Sequence, residues 1–375
     1  MRILINASNL GSGGATQVTD SFCQNLNLFR EDYFIVVLTP LMKDIAEKIK
    51  HYTNVKLYEY KIHNTLKTYL LARDEFLDDI VDKENIDVVF SVFAPTWWTP
   101  QNKPHLCGFA LAHLVMPESP YFTSKPFFER LWLKLNNLIQ IFFYRRSSQY
   151  FYTENALISA RVQKLLRCKK VFTVTNYYNQ IFDQPEKQVY KSLPDFDGIT
   201  ILTISNFYPH KNLPISIEVA QRLKIDYPNF NFRFVFTIDK AQFPCIPDDL
   251  KDCFLFIGNV DIVECPSLYE QCDIVFQPTL LECFTATYPE AMRMKKPIVT
   301  TDLDFAHGLC GSAAIYYEAL SSVAAAAAIY KVAKDDSLRI KLINRGIIEL
   351  EKFDTYLDRS NKLIALCKSL VKNKM

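Results

Sequence analysis

Excess charge of either sign is missing from this chain: 43 lysines and arginines face 41 aspartates and glutamates, a formal net charge of +2. A general nucleic-acid binder carries a basic excess, so no nucleic-acid partner is expected. Paired cysteines are missing too. None of the ten cysteines stands in C-x-x-C spacing, and Cys107 and Cys367 lie in apolar runs, where a thiol behaves as a small buried hydrophobe. Reduced thiols are therefore expected, rather than disulfides or a zinc site. No run reaches the ~18 to 20 uninterrupted apolar residues that a membrane-spanning helix needs. The start, Met1-Arg2-Ile3-Leu4-Ile5-Asn6-Ala7, turns polar too soon for a signal peptide, so the expected location is the cytoplasm. Internal repeats are absent, and the one low-complexity tract, Ala324 to Ala328, reads as helix.

What is present is length and apolar material. With 375 residues, 49% of them hydrophobic and 14% aromatic, two cores are the natural expectation. Short β-branched or aromatic runs alternate with helical segments, the pattern of an α/β fold with parallel sheets covered on both faces. Strands are expected near 2–6, 33–38, 54–58, 86–92, 105–111, 149–153 and 171–175, then near 199–204, 231–237, 253–257, 272–277, 297–300 and 313–317. The polar, turn-rich stretch from Gln184 to Gly198 is the best linker. It divides the chain into 1–185, 186–355 and a terminal helix in 356–375. Two doubly wound, Rossmann-like domains facing each other across a deep cleft are the expected architecture. Between Lys125 and Arg146, Phe127, Phe128, Leu131, Trp132, Leu135, Leu138, Ile139, Phe142 and Phe143 recur at helical spacing beside Lys125, Arg130, Lys134, Arg145 and Arg146. This reads as an amphipathic helix packed on its own domain, or as a basic-aromatic face resting on an anionic membrane surface.

Two glutamates eight residues apart, Glu282 and Glu290, follow the strand-like run Cys272-Asp273-Ile274-Val275-Phe276-Gln277. One is expected on a loop and one in the first turn of a helix, at the C-terminal mouth of a parallel sheet, where such sheets bind ligands. The bland alternative is a surface carboxylate and a helix-dipole partner. Earlier, Gly13-Gly14 sits in a strand-to-helix turn that either approaches phosphate oxygens or simply turns, since it lacks the G-x-G-x-x-G form. Lys211, in Ser205-Asn206-Phe207-Tyr208-Pro209-His210-Lys211-Asn212, is either a point charge for phosphate or a solvated lysine. His113 follows an apolar strand and reads as structural or functional. Trp97 and Trp98 sit at another strand end and could stack on the rings of a ligand or pack the core. Asp195-x-Asp197 falls in the linker and Asp302-x-Asp304 just past a strand, so neither is taken as a metal site.

Taken together, Gly13-Gly14, the Pro209-His210-Lys211-Asn212 loop, Phe256-Ile257-Gly258-Asn259-Val260, Leu268-Tyr269 and Glu282-x-Phe284 with Pro289-Glu290-Ala291-Met292 resemble the retaining family-4 glycosyltransferases of the GT-B fold. The resemblance spans the chain and is strongest from about 199 to 318. It implies sugar transfer from a nucleotide-sugar to a glycan or lipid-linked acceptor, with neither metal nor cofactor, in cell-surface polysaccharide biosynthesis. It also implies that the terminal helix packs back on the first domain. Lys211 would bind the donor diphosphate, Glu282 the sugar hydroxyls, Glu290 the ribose hydroxyls, and His113 would face the donor sugar. Ser205, Asn206, Asn259, Val260, Phe284, Thr285 and Ala286 would complete the donor site with Gly13 and Gly14. The chain departs from the family at Asn206, where an arginine is frequent, and at Cys283 and Thr285, where glycines are usual. These departures leave a catalytically silent partner-binding relative as an alternative, beside a GT-B nucleotide-sugar epimerase.

Overall fold

The computed structural model describes residues 1–11, 13–61, 68 and 71–372; Ser12 of the glycine turn lies outside them. By its contacts the chain forms two units. The first comprises Met1–Pro117, Pro126–Asn176 and the segment from Asp354 onward, and the second comprises Glu118–Lys125 and Tyr177–Phe353.

The first unit holds a seven-stranded sheet ordered β3-β2-β1-β4-β5-β6-β7. Its strands are β1 (Arg2–Asn6), β2 (Tyr33–Leu38), β3 (Val55–Glu59), β4 (Val88–Ser91), β5 (His105–Gly108), β6 (Tyr150–Thr153) and β7 (Lys170–Thr173). The second unit holds a six-stranded sheet ordered β10-β9-β8-β11-β12-β13. It is built from β8 (Ile199–Thr203), β9 (Phe232–Phe236), β10 (Phe254–Phe256), β11 (Ile274–Gln277), β12 (Ile298–Thr301) and β13 (Ala314–Tyr317). Every strand expected from the sequence is present, and all pairings are parallel. Strands buried on both faces have to be apolar throughout, which is why Phe-Ile-Val-Val-Leu and Phe-Arg-Phe-Val-Phe work as β2 and β9. The exception, Arg233, is buried but satisfied: it donates to Thr200 Oγ1 at 3.1 Å and to the Pro194 carbonyl at 2.6 Å.

Both sheets reverse their winding next to the first strand of the unit. β1 lies between β2 and β4, and β8 between β9 and β11. At such a point the chain leaves neighbouring strands in opposite directions, and a crevice opens at their carboxyl ends. The loops after β1 and β4, and those after β8 and β11, are thereby set at the two crevices.

The terminal helix Tyr356–Lys372 belongs to the first unit, where Leu363, Ile364, Cys367 and Leu370 enter the core with Ile3, Ile5 and Phe90. Its Arg359 is buried against Glu154 Oε1 at 3.3 Å and Tyr152 Oη at 3.3 Å. All ten cysteines are free thiols, nine of them buried and only Cys245 exposed.

Helix Phe127–Ser147 differs from one of the two readings of its sequence. It does pack on its own unit, but not through its apolar stripe. The inward side carries Asn137, Gln140, Tyr144 and Ser147, with Tyr144 fully buried and its hydroxyl donating to the Ala94 carbonyl. Phe127, Phe128, Leu131, Trp132, Leu135, Leu138, Ile139 and Phe142 all face outward, Phe128 with 80% of its surface exposed. Polar side chains can turn inward here because partners wait for them: Asn137 Nδ2 donates to the His113 carbonyl at 3.3 Å, and Gln140 Oε1 lies 2.9 Å from His113 Nε2.

Candidate active site

In the second unit the loop after β8 is fixed before it reaches the lysine. Thr203 Oγ1 donates to the Phe276 carbonyl of β11 at 2.6 Å, and the Ser205 amide donates to Thr237 Oγ1 at 3.0 Å. Ser205 Oγ turns back to the Asn206 carbonyl. A single 3-10 turn, Pro209–Lys211, follows, opened by a proline that supplies the required φ and closed by Asn212 at φ 52°. This turn delivers Lys211 Nζ to Glu282 Oε1 at 2.5 Å, with 15% of the lysine side chain and 9% of the glutamate side chain exposed.

Glu282 is placed by the loop after β11. Thr279 Oγ1 donates to Glu282 Oε1 at 2.9 Å, and the Leu280 amide donates to the His210 carbonyl at 2.8 Å, bolting the two loops together. From below, Thr300 and Thr301 of β12 donate to the carbonyls of Gln277 and Thr279. A run of threonines thus satisfies carbonyls that a turn at a sheet edge would otherwise leave unpaired.

Glu290 has a different environment. It lies in the first turn of helix Thr287–Arg293, 6% exposed, and accepts from the Tyr269 hydroxyl at 2.8 Å. Burial pushes its pKa up to about 7, partly opposed by the Tyr269 hydrogen bond. The two carboxylates therefore differ: one is matched to a cation, the other sits in a dry site with a phenol donor. Tyr269 comes from helix Cys265–Glu270, just beyond Asn259 and Val260. Those two residues follow Gly258, whose φ of 72° lets the chain turn sharply off β10. Asn259 is exposed and Val260 half-buried.

Cys283 and Thr285, which stand where glycines are usual, are both buried, and Thr285 Oγ1 donates to Thr287 Oγ1 at 3.4 Å. Phe284 packs edge-on against Phe353, and Ala286 precedes the helix as its N-cap. Asp302 pairs with His307 at 2.5 Å. Among the described residues no three His, Cys, Asp or Glu side chains are grouped as a metal site.

The remaining expected residues lie in the first unit. Gly13 caps helix Gly14–Cys23 at φ 77°, a conformation that side chains resist, whereas a Cβ on Gly14 would meet nothing within 4 Å. His113, in the short helix Ala112–Val115, is half-buried, and burial lowers its pKa. With Gln140 Oε1 at Nε2, the fitting tautomer carries its proton there and leaves Nδ1 as the acceptor. Trp97 adopts φ 55° and lines a cavity of about 530 Å³ with Asn9, Leu10, Thr39 and Leu41. Trp98 is corrected: it is 1% exposed, its indole N–H donates to Asp78 Oδ1 at 3.1 Å, and its ring is a core element that cannot stack on a sugar.

Sequence reasoning assigned no role to Tyr269, Thr279 or Ser119. The first two hold the carboxylates. Ser119 Oγ donates to the Leu280 carbonyl at 2.6 Å from a segment far away in the chain. Tyr269 stood in the Leu268-Tyr269 motif without a role, and Ser119 had no local mark because only the fold brings its partner near.

Residues 186–348 match the family model described as Glycosyl transferases group 1. No curated protein sequence matches the chain. Among solved structures, a glycosyltransferase from Rickettsia africae ESF-5 is similar over 99% of both chains, with a TM-score of 0.71 and 17% identity. Anabaena Alr3699/HepE in complex with UDP-glucose covers 98% of this chain and 100% of its own, with a TM-score of 0.66 and 14% identity. WaaG, a glycosyltransferase involved in lipopolysaccharide biosynthesis, covers 97% and 98%, also with a TM-score of 0.66 and 14% identity. The Lys211–Glu282 and Tyr269–Glu290 pairs both fall inside the matched segment, and the chain as a whole has the GT-B fold.

Proposed function

We propose that the protein transfers a sugar from a nucleotide-sugar to a glycan or lipid-linked acceptor, with retention at the anomeric carbon, in building a cell-surface polysaccharide at the inner face of the membrane. The observation that carries this reading is the Lys211–Glu282 contact at the switch point of the second sheet. It sets a cation suited to a diphosphate directly beside a carboxylate suited to sugar hydroxyls. UDP-glucose bound to the Anabaena protein and the lipopolysaccharide role of WaaG support the donor and acceptor classes.

In this reading Lys211 leaves Glu282 for the diphosphate and stabilises the charge that develops on the leaving oxygen. Glu282 then accepts from donor-sugar hydroxyls, and Glu290, as the carboxylate, accepts from the ribose diol. Backbone N–H groups from Phe284 to Ala286 reach the sugar and phosphates, and Nδ1 of His113 faces the sugar. The bond from the anomeric carbon to the phosphate oxygen breaks, a bond to the acceptor oxygen forms on the same face, and the departing phosphate oxygen takes the acceptor proton. No protein base, metal or cofactor enters these steps; the chain contributes orientation and charge.

A thermal-shift panel of nucleoside diphosphates and nucleotide-sugars tests the proposal. A matching ligand at ~100 times its dissociation constant adds about 2.7 kcal/mol of stability. Lys211→Ala should abolish that shift and lower turnover by roughly a hundredfold or more. No shift with any nucleotide overturns the proposal and indicates a silent partner-binding relative. Conversion of the donor without an acceptor indicates an epimerase.

A further inference from the structure

The cavity beside Trp97 takes no part in the donor chemistry just described, and the residues that line it all belong to the first unit. At about 530 Å³ it has the size of a small-molecule pocket, for which roughly 300 to 1,000 Å³ is usual. Part of its wall is apolar, supplied by Leu10, Pro40, Leu41, Leu77 and Trp97. Trp97 is half-buried, and its ring is held edge-on against Phe143 at 4.5 Å between ring centres.

The polar part of the wall has turned its donors away from the cavity. Both N–H bonds of the Asn9 amide are taken, by the carbonyls of Phe93 and Pro95 at 2.8 and 3.0 Å. Thr39 Oγ1 donates to the Leu10 carbonyl at 3.0 Å, and Thr96 Oγ1 donates to the Trp98 carbonyl. The Tyr60 hydroxyl donates to Asp74 Oδ2 at 2.6 Å, and the Leu77 amide donates to Asp74 Oδ1 at 3.0 Å. A hydroxyl that has donated keeps its lone pairs, and Asn9 Oδ1 is buried without a partner, so these side chains still accept but no longer donate. Lys61 is the one cation among the described lining residues, and it is exposed. Asp74 is buried, held by a phenol and an amide that leave its charge in place.

Such a lining discriminates by charge. A carboxylate or phosphate entering it leaves water for a wall poor in donors and comes to rest near a second carboxylate. A neutral ring meets neither cost. Its hydroxyl or amide N–H groups find acceptors, and a methyl group finds the leucines. We infer that this cavity holds an uncharged sugar residue carrying a methyl group, of the 6-deoxy or N-acetyl kind, and turns away acidic sugars. That this residue is the acceptor of the transfer rests on the nucleotide-sugar reading of the Lys211–Glu282 site. The preference of the cavity does not.

The test is a ligand-observed NMR titration of the whole chain, without nucleotide. It compares the methyl glycosides of 6-deoxyglucose, N-acetylglucosamine, glucose, glucosamine and glucuronic acid. The first two should bind about fourfold more tightly than methyl glucoside, the gain of one buried methyl group, and the glucuronide should bind weakest. Leu41 lines the cavity but is 73% exposed, so its replacement should leave the melting temperature unchanged. Leu41→Asp should weaken binding of the two methyl-bearing sugars several-fold, and Leu41→Arg should lift the glucuronide above methyl glucoside. Binding that ignores both variants lies elsewhere and overturns the assignment. So does a wild-type preference for the glucuronide or the glucosaminide, equal binding across the panel, or no binding at all. A chain that binds the methyl-bearing glycosides but no nucleoside diphosphate keeps the ligand of the cavity and loses the glycosyl-transfer reading. One that binds a nucleoside diphosphate but none of the glycosides does the reverse.

Discussion

At the carboxyl ends of β8 and β11, threonine hydroxyls, a lysine and a carboxylate close on one another and leave the loops rigidly linked. At the carboxyl ends of β1 and β4, Asn9 also spans the gap, donating to the carbonyls of Phe93 and Pro95 at 2.8 and 3.0 Å. There, however, the loops enclose a cavity of about 530 Å³ lined by Leu10, Pro40, Leu41 and Trp97. The same winding supports both crevices, so topology alone does not decide what each is for. The side chains do. The second sheet offers charge matched to phosphates and hydroxyls, and the first offers apolar room beside a glycine-capped helix. Under the proposed sugar transfer, the second unit would take the donor and the first would take the acceptor.

Removing Glu290 gives the largest expected effect that would break this contrast. Glu290→Ala should lower transfer by roughly a hundredfold in a steady-state assay while leaving a cooperative melt. Wild-type turnover in that variant would move the donor chemistry out of the second unit. A mid-sized effect is expected at Tyr269→Phe, read in a pH profile. The Tyr269 hydrogen bond lowers a pKa that burial has raised to about 7, so its loss should carry the acid limb of kcat/KM to higher pH. The linkage has a definite sign. A folded pKa above the unfolded value contributes stability that is complete below about pH 4.5 and is lost as pH rises through about 7. Glu290→Gln should flatten that slope in melts recorded across the window, and an unaltered slope would assign it to another group. The smallest effect on the fold, and the sharpest test of the first unit, is Gly14→Ala. A Cβ there meets no protein atom, so the melting temperature should hold while activity falls several-fold where substrate approaches the backbone. Unchanged activity would remove the glycine turn from the site.

The central strands were legible because doubly covered parallel strands are apolar along their length, whereas the edge strands β3 and β7, with exposed Lys56, Glu59 and Lys170, were legible only by their β-branched and aromatic residues. The glutamate pair and Lys211 were legible as motif, and the structure adds that Lys211 touches Glu282 rather than Glu290. Helix Phe127–Ser147 was legible in period but not in direction. Periodicity finds a stripe without saying which side faces in, and the polar partners of His113 settled that. Trp98 and Trp97 are adjacent letters in the sequence, yet one is core and the other lines a cavity. The positive φ at Trp97 separates them, and a backbone angle leaves no trace in residue type. Ser119 was illegible for another reason: its partner Leu280 lies 161 residues away.

Under the proposed sugar transfer, the Lys211–Glu282 contact also bears on which phosphates the site ignores. A lysine already neutralised by a carboxylate presents little net attraction to passing phosphate, and capturing it strips a mostly buried glutamate of its counter-charge. Orthophosphate brings nothing to replace that loss. An intact nucleotide-sugar does, because its hydroxyls arrive at the glutamate as its phosphates take the lysine. Once the sugar has left, the glutamate again lacks a partner and competes for the lysine against the spent nucleotide. Under that reading the ion pair would work as a sieve on entry and a spring on exit, favouring the whole donor over its fragments and limiting inhibition by the product.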